Sequence, residues 1–279
     1  MGYGKMSTIN ASAQTGTVWS IRNLLVAAVS LLAVFGIGLS GYVLRNANQA
    51  RATAADAASV NETADLLLES AGQWARERGA TNLALNASDP AADTQKASIA
   101  NFRKLGDQPF EQALARMAAR HFANKDQMIA GAKRAHEQLA ALRARADAEI
   151  AKPVAARDKA VVSQWAPTIT ALIVSSQGLR VAAAMEEDDF QSRLSSLQNL
   201  KHFLWIMSEY LGRERAAVAA LVASGRQMNS QEIGNLANFR GRLEAAWAYV
   251  QAYAAKSSAP ASVVTGTERV RESVFRRFE

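Results

Sequence analysis

One short phrase occurs twice in this chain. Arg76-Glu77-Arg78 is followed by Ile99-Ala100-Asn101-Phe102-Arg103, and Arg213-Glu214-Arg215 by Leu236-Ala237-Asn238-Phe239-Arg240, both pairs at the same offset of 137 residues with no gap. Two landmarks at one offset indicate internal duplication. Solenoid repeats run to about 20–50 residues, so a unit this long reads as two related halves of a bundle rather than an array. Whatever fold the first half adopts, the second has the pattern to adopt it too.

A second feature sets the class. Leu24 to Leu44 carries no charge, and as a helix rising about 1.5 Å per residue it is long enough to cross a hydrocarbon core of roughly 30 Å. It exceeds the apolar stretch of about 7–15 residues usual in a cleaved signal peptide, so we expect an uncleaved anchor. Lys5 and Arg22 precede it without any acid, whereas Arg45 and Arg51 beyond it are soon joined by Asp56, Glu62 and Asp65. This asymmetry favours a cytoplasmic N-terminus. The expected organisation is a cytoplasmic tail over 1–21, a transmembrane helix over 22–45 and a periplasmic helical sensor domain over 46–279. That domain divides into a first half, 46–182, and an incomplete second half, 183–279. A second half of equal length would extend about 40 residues past Glu279, so the sequence reads as a piece of a longer receptor.

Composition narrows the function classes. There is no cysteine, which removes disulfides, cysteine-based zinc sites and cysteine nucleophiles. Only His121, His136 and His202 could serve as imidazole ligands, and no metal or cofactor site is expected. The net charge of +7 suits an anionic membrane or ligand, but basic and acidic residues alternate, so nucleic acid is not an expected partner. No phosphate-binding glycine loop, zinc-protease motif or Gly-x-Ser-x-Gly elbow occurs, so we expect no enzyme and no catalytic residue.

Beyond the anchor, helical spacing dominates. The apolar helix should continue to about Ala87 and stop at Ser88-Asp89-Pro90. A second helix, capped by Asp93 or Thr94, should be interrupted at Gly106 to Pro109. A third should span about Phe110 to Ile150, and a fourth should start near Val154 with a kink or break at Pro167. A fifth should begin at the acidic cluster Glu186 to Asp189 and stop at Gly225, and a sixth should be capped by Ser230. Nothing reads as a strand ladder. The expected fold is all-α, long antiparallel helical bundles in two related halves, continuous with one N-terminal transmembrane helix.

The paired arginines carry the functional argument. At about 100° per residue, Arg78 shares a face with Leu67, Ala71, Trp74 and Leu85, whereas Arg76 sides with Asp65 and Glu69. Arg215 aligns with Leu204, Leu211 and Val222, and Arg213 falls near His202 and Glu209. The inward-facing candidates are therefore Arg78 and Arg215. A guanidinium on an apolar stripe is costly without a negative partner. That partner is either an internal carboxylate such as Glu77, Glu214 or an acid on another helix, or a small anion gripped by two planar donor forks.

The same helices carry a family resemblance. Trp74-Ala75-Arg76-Glu77-Arg78-Gly79, its counterpart Tyr210-Leu211-Gly212-Arg213-Glu214-Arg215-Ala216, and Val222-Ala223-Ser224-Gly225 resemble the nitrate- and nitrite-sensing domain, with its Glu-Arg-Gly type motif. The resemblance implies an all-helical sensor of bacterial chemoreceptors and sensor kinases, in the inner membrane with the sensor in the periplasm. It implies that Arg78 and Arg215 bind a small anion such as nitrate or nitrite, that no cofactor is needed, and that the receptor is a homodimer. On this reading the chain belongs to a methyl-accepting chemotaxis protein that signals by helix displacement. The alternative is a membrane-tethered scaffold acting through dimerisation or a protein partner, its arginines held in internal salt bridges.

Overall fold

The computed structural model describes residues 20–185, 192–224 and 227–275. The described residues form seven α-helices with no strand. The expected all-α fold is the observed one. Contacts divide the chain into two compact units, Met1–Ala55 and Asp56–Glu279.

Helix α1 spans Ile21–Asn86 without interruption. In the first unit every described residue is exposed, including Leu31, Phe35 and Ile37. This stretch is long and apolar enough to cross a membrane. An apolar helix with nothing packed on it leaves its side chains to whatever solvent surrounds them, and a lipid phase suits such a surface.

In the second unit the rest of α1 packs with α2 (Asp93–Ala118), α3 (Lys125–Ile150) and α4 (Lys159–Met185). A 3-10 turn at Val154–Ala156 precedes α4. The face of α1 expected to point inward does so: Leu67, Trp74, Ala84 and Leu85 are buried with Ile99, Phe110, Leu139, Trp165, Ile169 and Leu172. Burying each such side chain contributes about 1.5–3 kcal/mol, which makes this cluster the main source of the bundle's stability.

Helices α5 (Ser192–Ser224), α6 (Ser230–Ala254) and α7 (Ala261–Val270) come next, and a π-turn covers Arg271–Phe275. Their smaller core joins Leu200, Met207, Leu243, Trp247 and Val250, with Val263 and Phe275 against it. The duplication recurs in the helix boundaries. Helices α2 and α6 begin 137 residues apart, and α3 and α7 begin 136 apart.

Several sequence expectations need correction. Gly106 to Pro109 does not interrupt α2, which runs through it; Pro109 lies inside the helix. Its missing backbone hydrogen bond costs roughly 3 kcal/mol. Packing offsets that cost: Pro109 and Phe110 are buried, and the Phe110 ring meets Trp74 edge-on at 5.1 Å. Gly106 marks a close approach instead of a break, since a Cβ there would lie 2.6 Å from Trp74 Cδ1. The real break comes after Ala118, and α3 starts after Asn124, which takes the left-handed conformation with φ 58°. The third helix thus begins at Lys125, not Phe110. Helix α4 begins at Lys159, not near Val154, and includes Pro167 without ending there. Asp93 is the first residue of α2, not its cap; Ala92 holds that position. Asn229, not Ser230, caps α6, through a reciprocal pair with Glu232. Glu186 to Asp189 and Gly225 lie outside the described residues.

Candidate functional site

Arg78 sits mid-seam, where α1, α4 and α5 meet. It is 8% exposed. Its Nη1 donates to Glu209 Oε1 at 2.7 Å and to Thr170 Oγ1 at 2.9 Å, and its Nη2 donates to Glu209 Oε2 at 3.1 Å. Arg213, one helical turn beyond Glu209 on α5, donates its Nε to Glu209 Oε1 at 2.8 Å. Two guanidiniums from two helices therefore hold one carboxylate. Trp165 Nε1 donates to the backbone oxygen of Arg78 at 3.2 Å and fixes the height of α4 against α1. Burial pushes the Glu209 carboxyl up, but the bonds and charges of Arg78 and then Arg213 outweigh it and hold it below the usual carboxylate range.

Arg215 is exposed. The expectation that both matched arginines turn inward holds for Arg78 and not for Arg215. The reason is visible along the whole stripe. Leu67, Trp74 and Leu85 are at most 1% exposed, while their counterparts Leu204, Leu211 and Val222 are 43%, 36% and 77% exposed. The periodicity is the same in both halves. In the first, α2, α3 and α4 cover the stripe; in the second, among the described residues, α6 packs on the face of α5 that carries Leu200 and Met207 and leaves the stripe open. Arg213 is the second-half arginine that meets the seam, and its signal in the sequence is the spacing of four from Glu209.

A second polar cluster lies on the adjoining face of α1, at the residue next to Arg78. Glu77, fully buried, receives two bonds from Arg143 at 2.6 and 2.8 Å and one from Arg103 at 2.9 Å. Sequence alone makes Glu77 a candidate partner for Arg78; the structure gives it to α2 and α3 instead. Arg143 also reaches Asp107, which accepts from Trp74 Nε1 at 2.8 Å. Burial alone would raise the Asp107 carboxyl, but His136, Arg143 and Trp74 together hold it well below its ordinary value. The second half repeats the central pair in weaker form: Arg240 lies 3.7 Å from Glu214. Among the described residues no group of histidines and acids could hold a metal ion.

Fold and seam together define the class: a duplicated all-helical bundle behind an apolar N-terminal helix, with arginines of α1 and α5 converging on a carboxylate. The family emerges from comparison. The chain belongs to the nitrate and nitrite sensing family, whose model matches residues 69–276. That span includes both copies of the arginine motif, and the domain is a sensing domain, not a catalytic one. No curated protein and no solved structure matches the chain significantly.

Proposed function

We propose that this chain is the sensor region of a bacterial inner-membrane receptor, with the tail over 1–21 cytoplasmic, 22–45 in the membrane and 46–279 periplasmic. Its ligand is a small planar anion, nitrate or nitrite, and its output is that of a chemoreceptor. One observation carries the reading: Arg78 and Arg213 already grip a planar oxyanion, the Glu209 carboxylate. Nitrate has the shape and charge to take the same donors. Arg215 lies about 60° further round α5 than Gly212, whose Cβ position would be 3.9 Å from Arg78 Nη2. It supplies the charge on the entry side. An anion entering here competes with Glu209, frees α5 from α1 and shifts the helix that runs into the membrane. Such switching works only if the two arrangements differ in anion affinity.

The test is calorimetric titration of the full chain in detergent micelles with nitrate, nitrite and formate at constant ionic strength. A binding event that disappears in Arg78→Ala and is weakened in Arg215→Ala supports the proposal. No binding by any of them, or binding indifferent to both substitutions, ends it. Topology is checked separately: the chain has no cysteine, so Ser257→Cys gives a single thiol that an impermeant maleimide should label in cells with a permeabilised outer membrane.

A second reading is a membrane-tethered helical scaffold that dimerises or binds a protein partner. What favours it is that the Arg78 charge is already met inside the protein. It predicts no anion binding together with a stable dimer in micelles.

A further inference from the structure

Four arginines are buried among the described residues: Arg78, Arg143, Arg157 and Arg180. Three have their charge answered. Arg78 meets Glu209, and Arg143 meets Glu77 and Asp107. Arg157 donates to four backbone oxygens, those of Ala87, Asp89, Glu149 and Lys152, where helix ends gather negative dipole.

Arg180 differs. It lies on α4, 4% exposed, and among the described residues it bonds to neutral acceptors: Nε donates to Gln177 Oε1 at 2.7 Å, and Nη2 lies 2.8 Å from His202 Nδ1 on α5. Gln177 is itself fixed, because its amide donates to the Leu67 backbone oxygen at 3.0 Å. The Nη1 group makes no hydrogen bond among the described residues and is not sealed from solvent, so part of the guanidinium's five-donor capacity stays open to a ligand. The charges on neighbouring elements are Asp65 of α1, which favours the Arg180 cation through space without a hydrogen bond to it, and Lys201 of α5, to which Asp65 is bonded at 2.6 Å. A buried cation with neutral partners is an energetic deficit that an anion removes.

His202 gives this deficit a direction. A neutral imidazole can accept from Arg180 through Nδ1. A protonated one cannot, because both groups are then donors and both are positive. Two positive donors at that distance repel and draw apart, and the gap so opened suits an acceptor that both can reach. The ring is only partly buried and stacks on Trp205 at a centroid distance of 5.9 Å, so it borders solvent on one side.

We infer that Arg180 and His202 form a second anion site, distinct from the Arg78 seat, which takes a small monovalent anion together with a proton on His202. The site holds an anion weakly when His202 is neutral and firmly when it is charged. Consistent with that geometry, burial and then the Arg180 charge hold the imidazole below its ordinary range, and burial lowers Arg180 to about 10. Proton and anion each lower the cost of the other.

The experiment tracks the imidazole resonances of the full chain in micelles by nuclear magnetic resonance, titrating pH with and without saturating nitrate at constant ionic strength. The expected result is a nitrate-dependent rise of the His202 midpoint by about one unit or more. His121 serves as internal control. The rise is lost in Arg180→Gln and kept in Arg78→Ala. If Arg180→Gln does not fold, His202→Asn replaces it: wild-type nitrate affinity, by calorimetry, gains up to about tenfold per pH unit as pH falls across the His202 transition, and this slope vanishes in the variant. A His202 midpoint indifferent to nitrate, or a rise that survives loss of Arg180, overturns the inference. It does not depend on the Arg78 reading, which fails or stands on the Arg78→Ala titration alone.

Discussion

Arg78 and Glu209 meet through a two-bond fork, 2.7 and 3.1 Å long, across 131 residues of chain. This contact ties α1, the helix that continues into the apolar N-terminal stretch, to α5 in the second half of the duplication. Any movement of α5 away from the first bundle must break it or exchange Glu209 for another anion.

Removing one partner should cost far more than removing both. Arg78→Ala leaves the Glu209 carboxylate buried with Arg213 alone, and we expect a loss of about 3–5 kcal/mol. Pairing Arg78→Met with Glu209→Leu should recover most of that loss. Denaturant unfolding monitored by helical circular dichroism measures both. A double variant as unstable as Arg78→Ala would show that the pair is not the coupled unit described.

Acid should weaken the bundle at defined groups. The Glu209 and Asp107 carboxyls are held below their ordinary values, so the folded chain binds fewer protons than the unfolded one. Their contribution is complete at neutral pH and is lost progressively as pH falls below about 4 and on through the folded-state values. Melting temperature against pH should therefore fall on the acid side, and Glu209→Gln should flatten part of that fall. An unchanged acid slope in the variant would contradict the assignment.

Gly106 should tolerate no side chain. A Cβ there would stand 2.6 and 2.7 Å from Trp74 Cδ1 and Nε1, and the indole is held by its bond to Asp107. Gly106→Ala should destabilise by about 1–3 kcal/mol, the range for overpacking a filled core. Altered tryptophan emission should accompany the lowered melting temperature. A stabilised Gly106→Ala protein would mean that Trp74 moves freely.

The duplicated pairs should be unequal. Glu77→Gln removes the buried carboxylate that Arg143 and Arg103 share, leaving Arg143 with Asp107 and Arg103 with Asp147, and should cost about 1.5–3 kcal/mol. Glu214→Gln disturbs a pair 3.7 Å apart in which Arg240 is 40% exposed, and should cost under about 1 kcal/mol. Parallel melts of the two variants test this. Equal losses would mean that the second pair is buried in the protein as it works.

Much of the fold is legible in local pattern. The repeated phrase foretells the matched starts of α2 and α6, and the 3.6-residue spacing correctly places Leu67, Trp74, Arg78 and Leu85 on one inward face. Boundaries fail where a local breaker is outweighed by distant packing. Gly106 and Pro109 read as a stop, yet Trp74, more than thirty residues earlier, needs the glycine's empty space, and the core accepts the proline. Arg215 fails for a related reason: spacing tells which residues share a face, not whether another helix covers it.

By itself, then, the sequence determined the helical class, the apolar helix and the direction in which Arg78 points, because each arises from composition or from rotation along a single helix. Tertiary structure decided which charge answers which. Glu77 goes to Arg143 and Arg103, Glu209 to Arg78 and Arg213, and Arg180 is left facing a histidine. Those choices depend on how helices distant in sequence approach one another, and burial makes each of them energetically decisive.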